Sequence, residues 1–179
     1  ECISLIKLKP NVRLLIIKNF NNKSAALELK SLQSKFLVQE IDSKSVSKKD
    51  LKIVTKKKPS PREIEDLLFA FKVARYVKSN AIVFVKNKKT LGIGAGQMSR
   101  IDSTNIARSK AKKQNISLKG SVMASEAFFP FRDNIDLAKK IGVSSIIQPG
   151  GSIKDEEIIS ITDKYNLSMV FTNVRVFKH

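Results

Sequence analysis

A chain of 179 residues is long enough to bury a substantial core, and it has neither an apolar run that would span a bilayer nor a secretory leader pattern, so a soluble cytoplasmic protein without a membrane partner is expected. One cysteine, Cys2, excludes an internal disulfide, and one histidine, His179, argues against a conventional zinc site while leaving a metal bound by oxygens open. The net charge of +18 raises nucleic acid as a partner, but residues 120–179 hold seven basic and seven acidic residues, so the excess lies wholly upstream.

Only seven of the 34 basic residues are Arg, the side chain that forks onto phosphate and base edges. Lysine groups such as 56–58 and 110–113 therefore read as solvated surface rather than a nucleic-acid patch, with attraction of a small polyanion as a third reading. The chain opens on Glu1-Cys-Ile-Ser without a methionine, which reads as a fragment or a processed product.

In chain order, the apolar run at 13–18 predicts a buried strand, 19–34 is ambiguous, and 36–41 predicts another strand. A Ser/Lys-rich connector at 43–50 leads to a short strand at 51–55. A helix follows from Ser60: Ser60 caps it, Pro61 suits the first turn, and Glu63 completes a capping box. Leu67, Leu68, Phe71, Val73, Ala74 and Val77 supply its apolar stripe.

Asn80 then precedes a strand at 81–85, a turn at 87–90 and a returning strand from Leu91. The loop Gly94–Arg100 is neither a P-loop nor a dinucleotide fingerprint; its small residues suit a tight turn or a ligand, with a helix expected near Ser103 or Thr104. Apolar runs at 121–124, 144–147 and 168–172, with helical patterns between them, argue for a parallel sheet built from crossover units. Polar residues just past each run sit where open parallel sheets place ligands. Asp133 either caps a helix or accepts paired hydrogen bonds beside Phe128, Phe129 and Phe131. Gly150-Gly151-Ser152 either starts a helix or offers amides to a ligand carboxylate.

Taken together, Val77–Ile82, Gly92–Asp102, Gly120–Asp133, Gln148–Ser152 and Phe171–His179 resemble the bifunctional purine biosynthesis family in its formyltransferase (AICAR transformylase) part. The resemblance runs from about residue 50 to the end. It implies a cytidine-deaminase-like three-layer α/β/α sandwich with a mostly parallel sheet and no zinc, in which 1–50 is a remnant of the upstream half and 51–179 the C-terminal subdomain. It implies formyl transfer from 10-formyltetrahydrofolate to aminoimidazole carboxamide ribonucleotide (AICAR), in a homodimer, in late purine synthesis. The full-length enzyme would also be an inosinate cyclohydrolase.

By motif match, Asn80, Arg100, Phe128 and Arg175 meet the nucleotide, and Ile101, Asp133, Ser152 and Ile153 the folate. Asn80 and His179 stand at the reacting groups. The family's Lys-His pair and its cyclohydrolase domain have no counterpart in these residues, so the chain by itself is expected to be inactive. A non-catalytic ligand-binding or RNA-interaction domain is the alternative, against which stand few Arg, two Tyr and no Trp.

Overall fold

A computed structural model describes residues 2–9, 11–16, 27–40 and 44–178. His179, residues 17–26 and Ile41 lie outside the described residues, so the expectations placed on them do too. The chain divides into two compact units, Glu1–Ser43 and Lys44–His179.

The first unit holds a short helix α1 (Cys2–Ile6) and an antiparallel hairpin of β1 (Leu27–Leu32) and β2 (Lys35–Glu40). The register places Leu29 opposite Val38 and Ser31 opposite Phe36, which gathers Leu27, Leu29, Phe36 and Val38 on one exposed face. The strand expected at 13–18 does not form in its described part. Residues 13–16 have no regular structure, and Leu15 and Ile16 are 88% and 90% exposed. An apolar run becomes a strand only where a neighbour satisfies its backbone, and no described strand pairs with it.

The second unit contains β3 (Lys52–Ile53), α2 (Pro61–Tyr76), β4 (Ile82–Lys86), β5 (Lys89–Gly94), α3 (Arg100–Lys113), β6 (Val122–Ser125), α4 (Asp133–Ile141), β7 (Ser145–Gln148), α5 (Asp155–Lys164) and β8 (Ser168–Phe171). Six strands form one sheet in the order β3-β8-β7-β6-β4-β5. β6, β7 and β8 are mutually parallel, as the crossover pattern predicted, and β5 runs the same way; β4 and β3 oppose them. The expected 51–55 strand pairs over two residues only, but Thr55 extends the edge by accepting the Met169 amide at 2.8 Å.

Alternation along the strands divides the core in two. Val83, Val85, Ala124, Ile147 and Val170 face α2, whose Leu67, Ala70, Phe71 and Ala74 repeat at helical spacing. Ile82, Phe84, Met123, Ile146 and Met169 face the other way, toward Ala107 of α3, Ile135 of α4 and Ile158 of α5. The result is the expected three-layer α/β/α sandwich with a mostly parallel sheet. Each fully buried Ile, Val or Phe contributes about 1.5–3 kcal/mol.

Local signals fix the ends. Ser60 Oγ accepts the Glu63 amide at 3.3 Å while Glu63 accepts the Ser60 amide at 2.7 Å, so the predicted capping box is present. Asn87 and Lys88 both take positive φ in the β4–β5 turn, and the buried Asp66 of α2 accepts both of their amides, at 2.8 and 2.6 Å. Among the described residues, no helix is long and apolar enough to cross a membrane.

Candidate functional site

The strands that share a direction, β5 to β8, end at one edge of the sheet. β4 begins there, since Ile82 pairs with Gly94 at the end of β5 and with Ser125 at the end of β6. Helix N-termini follow at the same edge, with α3 starting at Arg100, α4 at Asp133 and α5 at Asp155. Every described candidate residue falls on this edge, as the position just past the strand runs predicted.

The C-terminal tail laces across it. The Asn173 amide donates to the Pro149 carbonyl at 3.0 Å and the Val176 amide to the Glu126 carbonyl at 3.1 Å. Further on, the Ser79 amide donates to the Lys178 carbonyl at 2.8 Å. This path sets Arg175 beside the ends of β6 and β7. Its guanidinium lies over Phe128, with Cζ 4.6 Å from the ring centroid, and Nη2 reaches the Gly151 carbonyl at 3.4 Å. Pro149, Gly150, Gly151, Asn173 and Arg175 line a small cleft of about 200 Å³.

Arg100 enters from the other side. α3 starts three or four residues earlier than the sequence reading placed it, because Ser99, not a later residue, caps it by accepting the Asp102 amide at 3.2 Å. Arg100 thus belongs to the first turn of the helix rather than to the loop. Its Nη2 lies 3.4 Å from Oε1 of Glu126, a carboxylate with no exposure at all. Burial pulls the Arg100 pKa down, the Glu126 carboxylate pulls it back up, and nearby Arg175 lowers it again. Removing one partner of a buried pair typically costs about 3–5 kcal/mol. Arg100, Phe128 and Arg175 are therefore brought together, around a glutamate that the sequence reading passed over.

Asn80 closes this side, after a cis Ser79–Asn80 peptide bond. Its Nδ2 donates to the carbonyls of Gln97 and Met98, at 2.9 and 3.0 Å, and its own carbonyl accepts from Ser103 Oγ at 2.7 Å. Both carboxamide protons are spent bracing the loop, which leaves Oδ1 to meet a donor.

The second group of candidates lies across the starts of α3, α4 and α5. Ile101 follows Arg100 on the first turn of α3, and Thr104 Oγ1 joins that turn to Asn134 Oδ1 at 2.7 Å. Asp133 Oδ1 accepts the amide and side-chain nitrogen of Asn134, at 2.7 and 3.1 Å, so the aspartate opens α4 from inside; Arg132 holds the capping position. Lys154 stands 4.7 Å from the Phe131 centroid, which sets the 152–154 turn beside the 131–133 turn. Ile153 is fully exposed and Ser152 accepts the Lys154 amide at 3.1 Å. The Gly151 amide, read as a possible carboxylate donor, is occupied by the chain's own Asp155 at 2.7 Å.

Two residues were not singled out from sequence. Glu126 is the acidic residue directly following an apolar strand and preceding three phenylalanines, a position at the strand-end edge that could have marked it. Gln148 is fully buried; its Oε1 accepts the Phe129 amide at 2.9 Å and so fixes the turn that carries Phe128. Among the described residues, no group of three His, Cys, Asp or Glu side chains converges as a metal site would require.

Fold and site define an α/β/α domain whose cationic, aromatic and helix-start groups gather at the strand ends. A family model described as AICARFT/IMPCHase bienzyme matches residues 1–110. The chain is 52% identical over 177 residues to the bifunctional purine biosynthesis protein PurH of Wigglesworthia glossinidia brevipalpis. It belongs to the AICARFT/IMPCHase bienzyme family. That match takes in 98% of this chain and 34% of the relative, so the chain spans about a third of the relative's length. Among solved structures, similarity extends to a diaminohydroxyphosphoribosylaminopyrimidine deaminase/5-amino-6-(5-phosphoribosylamino)uracil reductase from Thermotoga maritima, at TM-score 0.38 and 15% identity, over 57% of this chain and 34% of that one. Acinetobacter baumannii RibD gives 0.36 and 16%, over 59% and 32%.

Proposed function

We propose that this chain forms the substrate-binding C-terminal part of a formyltransferase that moves a formyl group from 10-formyltetrahydrofolate to AICAR. The observation that carries this reading is the convergence of Arg100, Phe128 and Arg175 at one edge, two guanidinium groups and a ring, with Asn80 Oδ1, which no described residue engages, at the same edge. Guanidinium groups pair with phosphate, and an aromatic face accepts a flat heterocycle. The exposed Ile153, the Phe131 ring and the Asp133 carboxylate lie on the adjoining side, where an amino-pyrimidinone edge would offer paired donors to the carboxylate.

The amine of the nucleotide is a weak nucleophile because its electrons delocalise into the imidazole and carboxamide. Catalysis then needs the amine held in line with the formyl carbon, its proton accepted during attack, and the formyl oxygen stabilised as it becomes negative. Asn80 Oδ1 is suited to orienting the amine, and His179, at the end of the tail that Ser79 anchors, is assigned to the reacting groups. Self-association into a homodimer accompanies this reading, with the apolar hairpin face of Leu27, Leu29, Phe36 and Val38 as support.

The test uses the full-length protein with AICAR and 10-formyltetrahydrofolate, following the formamido product by chromatography. Product formation that Arg175→Ala and Asp133→Ala each reduce supports the assignment. No product, together with salt-sensitive RNA binding indifferent to folate analogues, would replace it with the RNA-interaction reading.

A further inference from the structure

Glu126 has no part in the transfer described above, yet it occupies the centre of the site. Its carboxylate is completely buried, and among the described residues the side chains that meet it are Arg100 Nη2 at 3.4 Å and Ser125 Oγ at 3.4 Å. Taking a carboxylate fully out of water is costly unless a cation and hydrogen-bond donors meet it. Arg100 is that cation, with a side chain only 12% exposed.

The guanidinium is held at one end alone. Among the described residues, the buried Arg100 Nε has no hydrogen-bond partner and Glu126 is the sole side chain bonded to the group. Arg175 lies within electrostatic range and repels it. Without the negative charge of Glu126, the half-buried Arg100 would face the repulsion of the exposed Arg175 uncompensated, and would swing toward water. Glu126 also acts through its main chain, since its carbonyl accepts the amide of Val176, the residue after Arg175.

We propose, on the reading that Arg100 and Arg175 meet the nucleotide, that Glu126 is the positioning residue of this site. Its buried carboxylate holds the Arg100 guanidinium at the strand edge, and its carbonyl anchors the tail that carries Arg175. The two cations then present converging donors to one phosphate-bearing ligand. The competing account is a buried ion pair that serves folding only.

The experiment compares the full-length protein with its Glu126→Gln, Glu126→Asp and Arg100→Leu variants. Calorimetry reads the affinity for AICAR and for its unphosphorylated riboside, a thermal melt reads stability, and mass spectrometry reads the labelling rate of Arg100 by a dicarbonyl reagent. Glu126→Gln keeps the shape and an acceptor but removes the charge. It should weaken the nucleotide by roughly 10- to 100-fold, the riboside much less, and speed Arg100 labelling by about 10-fold, with Glu126→Asp recovering part of the loss. Unchanged labelling of Arg100 in Glu126→Gln overturns the proposal, as does equal weakening of nucleotide and riboside that tracks a lowered melt. Should Glu126→Gln not fold, Glu126→Asp carries the same readouts, with an intermediate labelling rate expected and an unchanged one fatal. If Arg100→Leu binds the nucleotide as the parent does, the nucleotide assignment fails by itself, and the labelling arm still decides whether Glu126 positions Arg100.

Discussion

Arg175 lies over Phe128, its Cζ 4.6 Å from the ring centroid, in a tail that hydrogen bonds successively to the 149, 126 and 79 positions. The cation–π contact holds the guanidinium over the ring, where its remaining N–H groups can meet a ligand. Arg175→Ala should weaken the nucleotide by roughly 10- to 150-fold, from the loss of a charge-assisted hydrogen bond. The loss should shrink for the unphosphorylated riboside and be small for the folate. Arg175→Lys should recover little, because an ammonium neither stacks nor forks. Calorimetric titration of each ligand checks all of these.

Asp133 should show the opposite preference. Its Oδ1 is engaged by Asn134, while Arg132 takes the capping position of α4, so the carboxylate does not cap the helix from outside. Asp133→Ala should weaken the folate by roughly 10- to 150-fold and leave the nucleotide near its parent affinity. If the residue serves only the helix start, the substitution should instead cost about 0.5–2 kcal/mol of stability with both affinities intact. Titration beside a thermal melt separates these outcomes.

The elements that sequence revealed best are those whose signals are local. Ser60, Pro61 and Glu63 announce α2 because all three act within one turn, and 81–85, 121–124 and 144–147 read as strands because burial on both faces leaves continuous apolar runs. The edge where the candidate residues gather was legible for the same reason: polar residues stood just past those runs. What sequence hid depends on distant partners. The run at 13–18 has the composition of a strand, but no described strand pairs with it. Glu126 looks like an ordinary surface glutamate until Arg100, 26 positions earlier, is folded against it. The start of α3 was misplaced because Ser99, Ser103 and Thr104 are all plausible caps, and only the backbone shows that Ser99 is used.

The capping box of α2 should make stability depend on acid. Burial tends to raise the pKa of Glu63, but hydrogen bonds from Ser144 and from the Ser60 amide and hydroxyl outweigh it, so the net shift is downward. A carboxyl depressed in the folded state contributes stability above its unfolded pKa of about 4.3, and loses it as pH falls through the lower folded value. Glu63→Gln does not titrate, so the stability gap between parent and variant should be full near pH 7 and close below pH 4. Ser60→Ala, which removes the other half of the box, should cost about 0.5–2 kcal/mol at neutral pH. Denaturant melts across the acid range check the sign; a gap that widens in acid would contradict it.

Gly94 at the end of β5 and Gly96 in the loop after it separate two uses of glycine. The sequence reading offered a ligand or a tight turn as reasons for the loop's small residues. At Gly94 the neighbour is instead the chain itself, since a Cβ there would lie 1.8 Å from the Ser103 carbonyl oxygen of α3. Backbone cannot yield as a flexible side chain can, so Gly94→Ala must push α3 away from the sheet, and with it the Ser103 hydroxyl that holds the Asn80 carbonyl. Overpacking of this kind costs about 1–3 kcal/mol and occasionally more. Gly96 differs: it has a φ of +64°, but the atom closest to an added Cβ is Lys78 Cδ at 3.6 Å, an ordinary contact. Gly96→Ala should therefore bear only the left-handed backbone penalty, about 1–2 kcal/mol. Gly94→Ala should lower the melting temperature further and weaken the nucleotide as Arg100 and Asn80 move, whereas Gly96→Ala should leave the nucleotide affinity closer to the parent. The same melt and titration on both variants test this, and equal effects at the two positions would show that α3 does not depend on the close approach of Gly94.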